Sequence, residues 1–305
     1  MDSLAGSRRR EARRGAGSAD KILDRNSNFR ELWRPEGEEG EAVVGVVGYG
    51  SLLSERSALS TFDSVENFRL GTGERERERG EEGIRPKPTD DRPADDATVR
   101  GYRRVFKHVA PIFLERGIAI RETMEMASLS VEEGCDEDAI VVSLFDMKAS
   151  EVPAFISREE VSLISSPESS FAGPDHRVFP SFFKEYRFVA VTPEELDGSP
   201  SPSQHVMCLC SSDEDFIRNY GEPYYNERYG KYNIGRVWDL PGILPCPVYL
   251  RHCTIAAEAA GEKCHESFLD STFIASGRSI RSYLEERQDI LTTLPPEHLR
   301  ERYGG

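Results

Sequence analysis

The stretch Val43-Val44-Gly45-Val46-Val47-Gly48-Tyr49-Gly50-Ser51-Leu52 decides the reading of this chain. Val43–Val47 is an apolar run of strand length with β character. It falls far short of the ~20 residues needed to span a bilayer. The strand runs directly into a turn flanked by Gly48 and Gly50. Glycine admits backbone conformations closed to other residues and lets a ligand approach the main chain. Backbone N–H groups in such a turn can hold a carboxylate. Ser51 adds a hydroxyl donor and Tyr49 an aromatic wall. The loop therefore suits an amino-acid-like anion, although an ordinary β-turn fits the same residues.

Further apolar runs of β character follow at Val99–His108, Ser128–Val131, Ile140–Met147, Tyr186–Val191 and His205–Cys210. Helical signals interleave with them. Ser150 is placed to cap a helix over Glu151–Glu160, with Pro153 in its first turn. Asp213 is placed to cap a short helix through Tyr220, ended by Gly221. Val248–Ala260 has helical spacing at Leu250, Cys253 and Ala257, with Gly261 as its stop. His265–Ile274 and Ser279–Arg287 complete the expected helices. Strands come first and helices concentrate late, which predicts an α+β fold with a mixed or closed sheet.

Between these elements lie polar blocks. Residues 1–40 are rich in Arg, Glu, Gly and Ser and predict a disordered leader, with order starting at Ala42. Residues 73–97 are mostly charged and contain Pro86, Pro88 and Pro93, which disfavour a long helix. They predict a disordered insertion, and a loop insertion is expected over 161–182. The domain is expected to span 41–290, with a tail over 291–305. Of the 305 residues 38% are hydrophobic and 30% charged, as for a normal core diluted by polar segments. The net charge of −15 gives no electrostatic support to nucleic acid binding. Six cysteines are too few for a disulfide framework and fit a reducing compartment. A metal site is not expected, because Cys208, Cys210 and His205 lack further ligands nearby. No apolar h-region marks a secretory signal. The cluster Arg8, Arg9, Arg10, Arg13 and Arg14 hints at a transit peptide, against which Asp2, Glu11, Asp20 and Asp24 argue. The expected location is the cytoplasm, with the plastid as alternative.

The segment Val47–Leu53 resembles the signature of the γ-glutamylcyclotransferase-like superfamily, whose members open with a strand followed by Tyr-Gly-Ser-Leu or Tyr-Gly-Ser-Asn. Arg100-Gly101-Tyr102-Arg103-Arg104-Val105-Phe106 resembles the second strand of that family. Glu151–Glu160 resembles the helix that presents its catalytic Glu. In ChaC-type members that Glu commonly follows an Arg and precedes an aromatic-led strand. Here the strand is Tyr186–Val191, delayed by an insertion of about twenty residues. Ser267–Phe273 resembles a helix that faces the substrate in relatives. The likeness spans roughly residues 42–287 and leans to the plant and algal branch. It implies a small mixed β-barrel flanked by helices.

The resemblance further implies an intramolecular reaction. The α-amine of a γ-glutamyl group attacks its own γ-carbonyl, giving 5-oxoproline and a free amine or peptide. A Glu would take the proton and return it to the leaving nitrogen, best with a pKa raised by burial. Matching the Arg-Glu dipeptide selects Glu159; an ungapped match from Glu151-Val152 selects Glu160. Tyr49, Gly50, Ser51, Leu52 and Phe273 are the implied substrate contacts, although Phe273 stands where some relatives have Tyr. No cofactor is implied, and the partner is a small γ-glutamyl molecule rather than nucleic acid or membrane. The alternative is a non-catalytic binding module on the same scaffold. A weaker one is a thiol enzyme pairing a cysteine with His108 or His252. On bland readings, His108 is a satisfied structural histidine and Tyr224, Tyr225, Tyr229 and Tyr232 cover the core. Two of Arg100, Arg103 and Arg104 are expected to face solvent.

Overall fold

The computed structural model describes residues 21–35, 40–69, 97–160, 185–194 and 199–304, with only the backbone at 157–160. The insertions expected over 73–97 and 161–182 lie, Ala97 apart, outside the described residues.

The strands are β1 (Lys21–Ile22), β2 (Val43–Gly48), β3 (Glu66–Arg69), β4 (Ala97–Arg100), β5 (Tyr102–Val109) and β6 (Glu125–Glu133). They continue as β7 (Ala139–Lys148), β8 (Arg187–Val191), β9 (His205–Leu209), β10 (Leu244–Pro245) and β11 (Thr272–Ile274). The helices are α1 (Glu55–Leu59), α2 (Pro111–Glu115), α3 (Val152–Glu160), α4 (Asp213–Tyr220) and α5 (Glu222–Tyr229). They continue as α6 (Pro247–Ala259), α7 (Glu262–Asp270), α8 (Ile280–Glu286) and α9 (Arg300–Tyr303). The class is α+β, as expected. Among the described residues none of these helices is long and apolar enough to cross a membrane.

One sheet runs β1-β8-β9-β2-β7-β3, with β4 also on β7; the other runs β10-β6-β5-β11. The sheets curl into a half-barrel. They meet where the Cys210 N–H donates to Val131 O, and where Gly101 bonds Asp138 and Gly134. Strand β2 is central, antiparallel to β7 and parallel to β9. All six of its residues are buried, which is why it reads as a continuous apolar run rather than an alternating one. Val44 and Val46 enter the main core with Phe145, Phe155, Phe188, Leu250 and Phe268. Val47 enters a second core with Leu144, Val189 and Met207. Gly45 leaves room for a ring: a Cβ there would stand 2.4 Å from His205 Cδ2.

Several boundaries differ from the sequence reading. The strand expected over Val99–His108 is two strands, broken at Gly101, whose φ of +77° turns the chain from one sheet to the other. The helix expected over His265–Ile274 stops at Asp270. Its β-branched end instead pairs in parallel with β5, Thr272 against Arg104. Ser150 does not cap α3; the entry is a tight turn over Ala149–Glu151, and the Ser150 N–H donates to Glu41. Ser212, not Asp213, caps α4, and Asp213 accepts from the Val237 and Trp238 N–H groups. Gly221 and Gly261 stand where expected, with φ of +85° and +104°. Packing also reaches upstream of Ala42. Leu23, Phe29 and Leu32 are buried, and the Phe29 ring packs tilted against Phe188 with centroids 5.1 Å apart. Burying such a ring is worth about 2 kcal/mol.

Candidate active-site cleft

The loop after β2 is held from behind. Leu53 N–H closes a tight turn on Gly50 O, and Ser54 caps α1 through its hydroxyl. Ser143 Oγ donates to Leu52 O at 2.8 Å. Neither Gly48 nor Gly50 has a positive φ, so space rather than conformation demands the first glycine. A Cβ on Gly48 would meet Ser143 Oγ at 2.3 Å and Leu52 O at 2.9 Å. Arg104 is fully buried and serves the loop too. Its Nε donates to Tyr49 O at 2.8 Å, and its other nitrogens donate to Ser267 O and Val141 O. Burial lowers this guanidinium to about 10. Arg100 and Arg103 are exposed and pair with Glu194 and Glu132, so two of the three arginines face solvent, as expected.

Ser51 and Leu52 open onto a cleft of about 190 Å³. One wall comes from the second sheet and its surroundings: His108, Ser128, Glu185, Tyr186 and Arg228. His108 on β5 and Ser128 on β6 are register partners. Ser128 Oγ lies 2.8 Å and Tyr186 OH 3.0 Å from His108 Nδ1. His108 Nε2 faces Glu185 Oε2 at 3.3 Å. Arg228 donates to Glu185 Oε1 from Nε at 2.7 Å and from its terminal nitrogen at 2.6 Å. The Tyr229 hydroxyl donates to the same oxygen. The rings of His108, Tyr186 and Trp238 form a mutually packed trio, with Tyr186 edge-on to Trp238.

The electrostatics follow from burial and partners. Glu185 is 5% exposed. Desolvation alone would raise its pKa, but Arg228, His108 and Tyr229 together hold the carboxyl down at about 2. It is an ionised, oriented anion at neutral pH. Its neighbour Arg228, 7% exposed, is raised in turn by Glu185 against its own desolvation. The second wall is helical, with Ser57, Tyr249, His252, Arg302 and Tyr303.

Of the residues expected to form the site, Ser51 and Leu52 line this cleft and Tyr49 and Gly50 do not. Tyr49 packs on both cores, and Gly50 lies against Leu129, Tyr249 and Cys253. Phe273 is half-buried on β11, its ring 5.6 Å from the Arg103 guanidinium, and is not among the cleft residues. Glu159 and Glu160 end α3, and their side chains lie outside the described residues. Burial pushes the thiols of Cys210, Cys246 and Cys253 up to about 12, and no cysteine lines the cleft. Nothing here favours a thiol nucleophile. Tyr225 and Tyr229 are buried in the core, as expected.

Sequence reasoning missed Glu185 and Arg228. Glu185 directly precedes the aromatic-led strand, a position that could have marked it. Arg228 sits inside the tyrosine cluster with no signal of its own.

No protein-family model matches the chain, and no curated protein matches it. Two solved structures are distantly similar in shape. An uncharacterized protein from Homo sapiens is 11% identical, aligned over 84% of this chain and 90% of that one, with a TM-score of 0.39. A structure titled gamma-glutamyl cyclotransferase is 11% identical, aligned over 66% of this chain and 93% of that one, with a TM-score of 0.33.

Proposed function

We propose that this chain is a γ-glutamylcyclotransferase-like enzyme that releases 5-oxoproline from a γ-glutamyl amide. The observation that carries the reading is the cleft shared by loop residues Ser51 and Leu52 and the buried His108–Glu185–Arg228 chain. In the reaction the α-amine nitrogen forms a bond to the γ-carbonyl carbon, and the bond to the leaving nitrogen breaks. One proton leaves the attacking amine and one reaches the leaving nitrogen. Nucleophile and electrophile belong to one molecule, so the cleft mainly selects a folded conformer.

The base on the family resemblance is Glu159 or Glu160. The cleft supplies a second candidate route. Glu185, ionised and fixed, favours an N–H on the Nε2 side of His108, leaving Nδ1 to accept from the Ser128 or Tyr186 hydroxyl. A proton from the substrate amine can pass through that hydroxyl to His108. Glu185 itself, held near 2, is a weak base and acts as the orienting charge.

The test is 5-oxoproline release from glutathione and from γ-glutamyl amino acids and amines. Wild type, E159Q, E160Q, E185Q and H108N run side by side. Release by wild type that is lost in E159Q or E160Q names the helix carboxylate. Loss in H108N and E185Q alone names the buried chain. Release unchanged in all four variants removes both assignments. A folded wild type that releases nothing from any substrate turns the reading to a non-catalytic binding module. The locked Glu185–Arg228 pair, suited to holding a ligand rather than moving a proton, is the observation favouring that second reading.

A further inference from the structure

Glu185 and Tyr186 are neighbours in the chain, yet they meet opposite nitrogens of one imidazole. Glu185 Oε2 faces His108 Nε2 at 3.3 Å, and Tyr186 OH stands 3.0 Å from Nδ1. The single peptide unit between them therefore bears on both contacts. It lies just before β8, whose ladder to β9 begins at Arg187. Arg228 and Tyr229 grip the Glu185 carboxylate from α5. The main chain is gripped by the N-terminal segment, which does not line the cleft. There the Arg25 guanidinium donates to Tyr186 O and lies over the Phe188 ring, 4.5 Å from its centroid. The Leu23 N–H donates to Phe188 O at 2.9 Å, extending the pairing of β1 with β8. The segment itself is tightly built. Asp24 caps the turn Arg25–Ser27 by accepting from the Asn26 N–H at 2.9 Å. Asn28 and Phe29 both have left-handed backbones, with φ of +51° and +55°. Asn tolerates that conformation, whereas an aromatic residue adopts it only under constraint. The constraint is the fully buried Phe29 ring, packed against Phe188. Trp33 Nε1 donates to Asn28 O, and Arg34 closes the far end on Asp146 and Ser203.

We infer that residues 21–34 form a strap that sets Glu185 and Tyr186 on the His108 ring, with Arg25 as its positioning residue. The effect on turnover rests on the reading above; the effect on geometry does not. Arg25 acts through the Tyr186 carbonyl and touches neither the imidazole nor a substrate in the cleft. Removing its donor loosens the peptide between Glu185 and Tyr186 and draws the Tyr186 hydroxyl away from Nδ1. The proton route through that hydroxyl then lengthens. Misplacing a group at the reacting centre slows the chemical step more than it weakens binding.

The chain has two tryptophans, and they report on the two ends of this coupling. Trp33 belongs to the strap, and Trp238 stands edge-on to Tyr186 with ring centroids 5.4 Å apart. The whole chain labelled with fluorotryptophan gives one fluorine NMR signal for each, and W33F assigns them. Spectra of wild type, R25M and R25K are taken alongside 5-oxoproline release from glutathione and γ-glutamylalanine. Met keeps an apolar stem over Phe188, and urea unfolding verifies that R25M is folded where it is measured. In R25M the Trp238 signal should move or split, and kcat should fall about tenfold with KM within about twofold of wild type. R25K, which keeps a donor, should recover most of both changes. A Trp238 signal identical to wild type in folded R25M overturns the positioning role, even where stability has dropped. A displaced signal in a chain that releases 5-oxoproline from no substrate keeps the strap and removes the cyclotransferase reading. A displaced signal with turnover unchanged keeps the strap and removes the Tyr186 hydroxyl from the proton route.

Discussion

Replacing Arg228 by Met isolates the strongest charge contact in the cleft. In the native protein the guanidinium approaches Glu185 Oε1 at 2.6 Å, and both side chains are almost fully buried. At that distance the attraction is on the order of 6 kcal/mol for an effective dielectric constant of about 20. Desolvating the two ions costs several kcal/mol each, so the pair's net contribution is small. Removing one partner is different, because it strands an ionised carboxylate beside His108. The expected loss is about 3–5 kcal/mol, a large share of the total stability of about 5–15 kcal/mol for a typical domain. Urea unfolding of wild type, R228M, E185Q and the double variant E185Q/R228M measures it. The double variant should be more stable than the sum of the single losses implies, by about 2 kcal/mol. The pH dependence has a definite sign. Glu185 is held at about 2, below its ordinary 4.5. Its contribution is complete above 4.5 and is lost as pH falls from there through 2. The deficit of R228M should therefore be full at neutral pH and shrink in acid. A loss under about 1 kcal/mol, or additivity of the two substitutions, would refute the view of Glu185 as a buried anion that depends on Arg228.

Two further outcomes are expected. R104M should lose at least about 3 kcal/mol in denaturant unfolding, because Tyr49 O, Ser267 O and Val141 O would each lose a buried donor; stability within about 1 kcal/mol of wild type would show that water replaces the guanidinium. His205 and His252 are both held near 4 rather than 6.5, chiefly by burial and then by Arg34 and Arg302 respectively. The unfolded chain takes up these protons first, so stability is full above 6.5 and falls between 6.5 and 4, by up to about 3 kcal/mol per histidine. A flat denaturant midpoint across that window, or ring titration near 6.5 by NMR, would count against neutral buried imidazoles.

Continuous burial left a clear mark on β2, because an apolar run with no alternation has few other interpretations. Turn chemistry marked Gly221 and Gly261 for the same reason: positive φ narrows the choice of residue. Where the sequence misled, a distant partner had decided the outcome. Thr272–Ile274 could continue a helix, and only the neighbouring edge of β5 makes it a strand. Phe29 sits in a polar leader and is buried because Phe188 awaits it. The site divides along the same line. Ser51 and Leu52 belong to a local motif and were legible. Glu185, Arg228 and His252 become a cleft only when separate elements converge, and no local pattern announces that. His108 was assigned to structure, and its Nδ1 is indeed satisfied, yet the same contacts put it on the cleft wall.

The parallel pairing of β11 with β5 bears on how the chain reaches this state. Residues 272–274 must find 104–106 across most of the folded length, and a connection that long closes slowly. Until it closes, β5 presents an unpaired edge of main-chain donors and acceptors. Such an edge is a template for another chain. Refolding yield should therefore fall as protein concentration rises, and a chaperone that shields exposed strands during synthesis should raise it.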